Sequence, residues 1–324
     1  IMSPTFKHVL TPPPNMAFRD MLSGVHNVQE STSVLHGMIE ASNKMGDIPL
    51  VFNNIAEAPG HRAALNVLEK SRLCEMFDIS PGDLIDVLAW AMENPSEPEV
   101  VDVSDAPVMQ SGQEEVDLSK LPIPWHFHED GGRYQSASII VAQYSGVRNL
   151  SIHRQLLRDR NHTVARLVPR HLRTISTEAA EAGDDVPIAV VNGPDPTVLL
   201  AAAMSFSDYV DELTVASSLH TRLHGSPLKV VILPNGVMVP ADAEYAMEAR
   251  ITTERDDEGP YVDITGTVDD IRQEHVIEYD HVHHRVNPVF HALIPTGIEH
   301  RTLMGMPRAP TIKNSVSKVV ECVD

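Results

Sequence analysis

The sequence predicts an α+β chain whose later part closes into a barrel or closed sheet. Three observations carry this. Helical and strand-like patterns both occur before residue 95, and the polar, proline-containing run "NPSEPEVVDVSDAP" (94–107) then breaks the chain as a domain boundary would. Beyond residue 120 short β-rich runs follow one another with two helical patterns among them.

In order, residues 16–45 read as helix, from Met16, Phe18, Met21, Leu22, Leu35, Met38 and Ile39, with Gly24 and "STS" as a break that divides it in two. "IPLVFNN" (48–54) is an apolar run bounded by turn residues, hence a strand. "SPGDLIDVLAWAMEN" (80–94) is a helix with Ser80 as N-cap, Pro81 in the first turn and Asp83 where acids favour the helix dipole. The β-rich runs are "SASIIVAQYS", "TVARLVP", "IAVVNG", "LKVVILP", "AEYAMEARIT", "YVDITGTV" and "HVIEYDHV", with helices starting near Pro169 and Pro196.

The 324 residues allow roughly two domains and a core that needs no disulfides. A net charge of −20 repels nucleic-acid phosphates, which argues against a nucleic-acid binder. Cys74 and Cys322 stand far apart, outside metal-ligand spacing, as expected for a reducing, cytoplasmic setting. No apolar run reaches the roughly 18 residues of a membrane span. The start "IMSPTFKHVL" lacks a signal-peptide layout and reads as trimmed.

No glycine-rich phosphate loop or nucleophile elbow occurs. A bound phosphate would need another anchor, and a divalent cation with oxygen ligands is one. Asn149, His171 and Glu212 offer an amide, an imidazole and a carboxylate suited to Mn²⁺ or Mg²⁺. Taken singly, His171 reads as a helix-face histidine and Glu212 as a solvated helix carboxylate. His281 and His283 share a strand face in a metal-like pattern, but no third ligand is near in sequence, and an exposed edge-strand run is the simpler reading. Alone, Arg154 reads as a surface arginine, and "ERDDEGPYVDITG" (254–266) as an exposed acidic turn.

Seven stretches in order resemble the UbiD family of prenylated-FMN-dependent decarboxylases. They are "LPIPWHFHEDGGRY" (121–134), "RNLSIHRQLLRDRN" (148–161), "VPRHL" (168–172), "DELTVASSL" (211–219), "VPADAEYAMEARI" (239–251), "EGPYVDITG" (258–266) and "RVNPVFHALIPTGIEHRTLMGMPRAP" (285–310). The resemblance implies an N-terminal α/β domain (1–115) and a flavin-reductase-like split β-barrel that binds prenylated FMN (116–310). Residues 311–324 would begin a linker to the family's C-terminal α/β dimerisation domain, which this sequence lacks. It further implies that Asn149, His171 and Glu212 hold Mn²⁺ (or Mg²⁺) on the flavin phosphate, with K⁺ near the carbonyls of Leu150 and Met204. Ser151, Ile152, His153, Arg154, Arg170, His171 and Met204 would line the cofactor.

The family's catalytic set falls on Arg154, Glu258 and Asp263. Here Glu258 would pair with Arg154, and Asp263, an archaeal-type replacement for a glutamate, would donate the proton. Such a donor needs a pKa raised by burial and a neighbouring like charge. The implied activity is reversible, non-oxidative decarboxylation, releasing CO₂ from an α,β-unsaturated or aromatic carboxylic acid. Prenylated 4-hydroxybenzoate and anhydromevalonate phosphate are the candidate substrates. A flavin prenyltransferase would supply the cofactor. The working unit would be a homo-oligomer, or would include a second chain carrying the C-terminal domain. The alternatives are a non-catalytic flavin-binding or assembly subunit and an ordinary FMN oxidoreductase on a split barrel.

Overall fold

The computed structural model describes residues 17–206 and 209–316, so Met16, Cys322 and the closing "SKVVECVD" (317–324) lie outside it. The stretch read as helix from 16 to 45 folds otherwise. A 3-10 turn (Phe18–Leu22) leads to a strand (His26–Val28), and only Gly37–Met45 is α-helical. Pairing explains the difference: His26–Val28 lies parallel to Leu50–Phe52, and ladder hydrogen bonds outweigh the weak helical period. The strand expected in "IPLVFNN" is that Leu50–Phe52, buried throughout.

Helix Pro81–Glu93 starts as its sequence indicates. Ser80 Oγ accepts from the Asp83 amide at 3.2 Å, while Asp83 Oδ2 accepts from the Ser80 amide at 3.4 Å. Leu84, Val87, Leu88 and Ala91 form its buried stripe.

Most of the β-rich part forms one nine-stranded sheet, while Lys229–Ile232 pairs Met238–Pro240 and Glu99–Val100 in a three-stranded sheet, and Tyr261–Val262 pairs Val268–Asp269 by itself. The large sheet's ladder runs Tyr134–Gln135, Gln155–Leu157, His162–Ala165, Arg272–His284, Tyr245–Glu258, Val186–Asn192, Ile139–Tyr144, Val147–Ile152, with Ser111–Gly112 also pairing Arg272–His284. All its pairings are antiparallel. The unbroken apolar runs "IIVA" and "IAVV" follow from coverage on both faces. Ile139, Val141, Ala189 and Val191 enter one core, and Ile140, Ala142, Ile188 and Val190 the other.

His153 and Arg154 alone separate the edge strand Val147–Ile152 from Gln155–Leu157, which is second from the opposite edge. So short a link spans at most about 11 Å, so the sheet curls until its two ends nearly meet. Three helices, not two, occur among these strands: His171–Ala182, Pro196–Ala202 and Glu212–His224. The last escapes the periodicity because it is buried almost all round, from Glu212 to His220 without a break.

The units 1–115 and 116–310 share both cores and three sheets. A four-stranded sheet of His26–Val28, Leu50–Phe52 and Arg62–Leu65 is completed by Val289–His291, parallel to Arg62–Leu65. Two fully buried carboxylates reinforce the join. Glu244 takes both arms of Arg19 at 2.8 and 2.7 Å and the Val289 amide at 3.0 Å. Glu299, in helix Ile298–Gly305, accepts from the amides of Asn66 (2.9 Å) and Leu68 (3.0 Å) and pairs with His291 Nε2 at 2.8 Å. No helix among the described residues is long and apolar enough to cross a membrane.

Glu299→Ala strands two buried amides without acceptors, and each costs about 1–3 kcal/mol. Urea denaturation should show a loss of about 2–5 kcal/mol, and a loss below about 1 kcal/mol would mean that water reaches these amides.

Candidate active site

A cavity of about 780 Å³ opens where the sheet's ends approach. Its wall includes Asn149 through Arg154, which run along the edge strand and into the two-residue link. Arg170 and His171, at the start of helix His171–Ala182, face it, as do Met204, just past helix Pro196–Ala202, and Glu212, first residue of the next helix. Asp263 also lines it. Of the sequence-derived site residues only Glu258 stands behind the wall, fully buried and bonded to Arg154.

At one end Asn149 Nδ2 donates to Glu212 Oε1 at 3.1 Å, and the Leu150 amide donates to Glu212 Oε2 at 2.8 Å. Glu212 is therefore neither solvated nor on a helix surface. Burial pushes its carboxyl up to about 7, against the pull of these donors. His171 lines the same cavity with its ring stacked on Tyr209 at 4.4 Å, and no hydrogen bond joins it to Asn149 or Glu212 among the described residues.

Ser151 Oγ lies 3.0 Å from Asn149 Oδ1 and 2.9 Å from His153 Nε2. His153 Nδ1 donates to the Arg166 carbonyl at 3.0 Å, and burial lowers the ring's pKa to about 4, so Nε2 is a bare acceptor. One serine proton cannot serve two acceptors. The cluster therefore carries a surplus lone pair beside a buried carboxyl. That donor set suits a hard cation.

At the other end Arg154 Nε and Nη2 hold both oxygens of Glu258 at 2.9 Å each, and Nη1 holds Asp269 Oδ2 at 2.7 Å. The Tyr134 hydroxyl donates to Glu258 Oε1 at 3.1 Å, and the guanidinium carbon sits 4.3 Å from the centre of the Tyr261 ring. Burial alone would lower the Arg154 pKa, but the Glu258 hydrogen bonds and charge outweigh it and raise it. The turn is clamped from behind. Asp130 Oδ1 accepts from the Val262 amide at 2.8 Å, and the Gly131 amide donates to the Pro260 carbonyl at 2.8 Å.

Glu258 thus meets Arg154 as the sequence predicts, but the second acid on that arginine is Asp269. The reason is a hairpin: Tyr261 pairs directly with Asp269, so both side chains project to one face, beneath Arg154. The run "YVDITGTVD" carried that signal, two strand-like pairs about a glycine turn. Asp263 caps the turn instead. Its Oδ1 accepts from the Thr265 amide (2.8 Å) and hydroxyl (2.6 Å), with Thr267 Oγ1 at 3.3 Å. The Thr265 hydroxyl is the main cause of a pKa lowered below the usual carboxylate value, opposite to the expected rise.

The histidine run is not on an edge strand, though part of it is exposed as the simpler reading has it. Arg272–His284 is paired on both sides, and His283 Nε2 meets Glu248 Oε1 at 2.7 Å while His281 is exposed. The sequence reading missed Tyr134, Tyr261 and Asp269, and in the wall two further arginines, Arg166 and Arg308, and the imidazole of His300.

Residues 99–298 match the UbiD family profile, described as the 3-octaprenyl-4-hydroxybenzoate carboxy-lyase Rift-related domain. The anhydromevalonate phosphate decarboxylase of Methanosarcina mazei is 39% identical over 274 residues, 84% of this chain and 62% of that protein. The enzyme of the same name from Archaeoglobus fulgidus is 33% identical over 310 residues, 94% of this chain and 69% of that protein. An evolved dimeric form of the UbiD-class enzyme HmfF from Pelotomaculum thermopropionicum, in complex with prFMN, superposes with a TM-score of 0.88. Its sequence identity is 29%, and the match covers 93% of this chain and 73% of that one. The chain spans 62% of the length of the first of these relatives.

A Cβ on Gly131 would stand 2.5 Å from the Gly259 carbonyl oxygen. Gly131→Ala should therefore push the clamp off the turn and cost about 1–3 kcal/mol, the usual range for overpacking. Denaturant unfolding checks it, and an unchanged midpoint would show that the loop yields freely.

Proposed function

The chain belongs to the UbiD family, and on that premise we propose that its cavity serves a reversible, non-oxidative decarboxylase working with prenylated FMN. The observation that carries this is the gathering in one cavity of a cation-ready cluster, Asn149 with Glu212, and of Arg154, which Glu258 holds from behind the wall. The curled sheet would be the flavin-reductase-like split β-barrel of such an enzyme. A flavin prenyltransferase would supply its cofactor, and the working unit would be a homo-oligomer.

Asn149, His171 and Glu212 would hold Mn²⁺ or Mg²⁺ on the flavin phosphate, beside the positive N-terminal end of helix His171–Ala182. Carbonyls at Leu150 and Met204 would take K⁺, Met204 lying at the carbonyl-rich C-terminal end of helix Pro196–Ala202. Ser151, Ile152, His153 and Arg170 would line the flavin. When bound, prenylated FMN supplies the electron sink for the charge left on the substrate carbon as CO₂ departs.

The protein's part is orientation and proton supply. Glu258 and Tyr134 fix Arg154, whose Nη1 arm is free to exchange Asp269, one third exposed, for a substrate carboxylate. Thr265 and Thr267 tie down Oδ1 of Asp263 and lower its pKa. Burial beneath bound flavin and substrate would have to raise it before Oδ2 carries the proton that replaces CO₂. Anhydromevalonate phosphate, in the names of the archaeal relatives, is the substrate we favour. In a chain of net charge −20, Arg154, Arg166, Arg170 and Arg308 all line this one cavity, and such a wall suits a ligand bearing both carboxylate and phosphate. Arg308 Nε has no acceptor among the described residues, and the Arg308 guanidinium is the group we assign to the phosphate.

The test is protein co-expressed with a flavin prenyltransferase. Bound flavin heavier than FMN and CO₂ release from anhydromevalonate phosphate are expected. Plain FMN with redox turnover would replace this reading with an oxidoreductase, and prenylated flavin without turnover would leave a carrier subunit. Glu212→Gln should lower flavin and Mn²⁺ retention, since the cation loses its anionic ligand. Asp263→Asn should cut turnover about 10²-fold or more with flavin still bound. If Asp269→Asn shows that loss and Asp263→Asn does not, the donor is Asp269.

A further inference from the structure

Helix Glu212–His224 carries a second set of ligand-type groups at its far end. His220 and His224 stand four residues apart and so share a helix face, and Asp195, the N-cap of Pro196–Ala202, meets them from the neighbouring helix. All three are buried, at 1%, 4% and 5% exposure for Asp195, His220 and His224. One ligand atom from each lies within 4.8 Å of the others. His220 is eight residues beyond Glu212, about 12 Å along the axis, and His224 about 18 Å, so the cluster is separate from the cavity.

Its bonding is incomplete in a particular way. Asp195 Oδ1 accepts from the Thr197 amide at 2.7 Å and from its hydroxyl, but Oδ2 has no protein donor among the described residues. Neither ring nitrogen of His224 has a partner there. His220 Nδ1 donates to the Ser226 carbonyl at 2.6 Å, which fixes the tautomer and leaves a lone pair on Nε2. His224 Nε2 lies 3.9 Å from Asp195 Oδ2. That is too long for a hydrogen bond, yet only slightly more than the roughly 3.3 Å between two ligands on one tetrahedral zinc.

The Phe77 ring packs 5.7 Å from His224, so the cluster has an apolar neighbour. A buried carboxyl oxygen without a donor, set beside two imidazoles, leaves a place that a cation would complete.

We propose that Asp195, His220 and His224 bind a divalent transition-metal ion, Zn²⁺ by ligand type and burial, which pins helix Pro196–Ala202 to helix Glu212–His224. Two imidazoles and one carboxylate supply three ligands, and one water completes a four-coordinate shell. The ion is structural: it steadies the two helices whose other ends place Met204 and Glu212 at the cavity.

The test uses purified protein stripped with chelator, then titrated with Zn²⁺ or Co²⁺. One Zn²⁺ per chain should bind and should persist in Glu212→Gln, which disables the oxygen-rich cavity cluster. His224→Gln and Asp195→Asn should weaken that binding at least tenfold. Co²⁺ should give the intense visible bands of a tetrahedral site in wild type and in Glu212→Gln. Should the His224 and Asp195 variants fail to fold, the Co²⁺ spectrum of Glu212→Gln decides alone. Weak octahedral bands, no stoichiometric Zn²⁺ in Glu212→Gln, or undiminished binding in folded His224→Gln would overturn the proposal.

Discussion

Glu258 is a carboxylate with no exposure to solvent, at the end of a strand that runs from Tyr245. Such a group is tolerated only when a cation and hydrogen bonds replace its water. Arg154 meets both of its oxygens, and Tyr134 adds a third donor. Arg154 belongs to the short link that carries the chain from one end of the sheet toward the other. The pair therefore does two things at once: it ties the short link to the end of a central strand, and it leaves the remaining guanidinium arm to meet Asp269 at the cavity wall. Removing Arg154 would leave the Glu258 charge buried without a cation, a cost of about 3–5 kcal/mol.

Other buried carboxylates work in the same manner. Glu244 joins Arg19 to the Val289 amide, and Glu299 joins the 66–68 turn to His291. In each case the partners lie far apart in sequence, so the carboxylate binds the first hundred residues to the last forty. With the strand Val289–His291 completing the N-terminal sheet, the link and the cavity rest on one continuous framework. Much of the acidity behind a net charge of −20 is surface, but these few internal acids hold the architecture.

Several parts were legible in the residues alone. Ser80, Pro81 and Asp83 announce a helix start because capping is local, and the apolar runs at 139–142 and 188–191 announce central strands because both of their faces are covered. The ordered motifs pointed to Asn149, His171, Glu212, Arg154 and Glu258, and all but the fully buried Glu258 line a single cavity. Less was legible where pairing or burial decides. The segment around His26–Val28 has a helical pattern but a strand partner, and helix Glu212–His224 shows no stripe because it is buried on every side as far as His220. The His281–His283 pair looked like a metal face until Glu248 was found opposite it.

What the sequence determined by itself is whatever depends on near neighbours and on order along the chain: helix caps, the double-sided strands and the family motifs, whose resemblance in turn implies the partnership of Arg154 with Glu258. What only the tertiary structure decided is which side chains share a small volume. Asp269 displaces Asp263 from Arg154 because a hairpin sets it opposite Tyr261, and the threonines of the turn claim Asp263 for themselves. Asp195 meets His220 and His224 because two helices pack together. Electrostatic partners act through space over a few ångströms, and residues that distant in sequence are brought so close only by the packing of the whole fold.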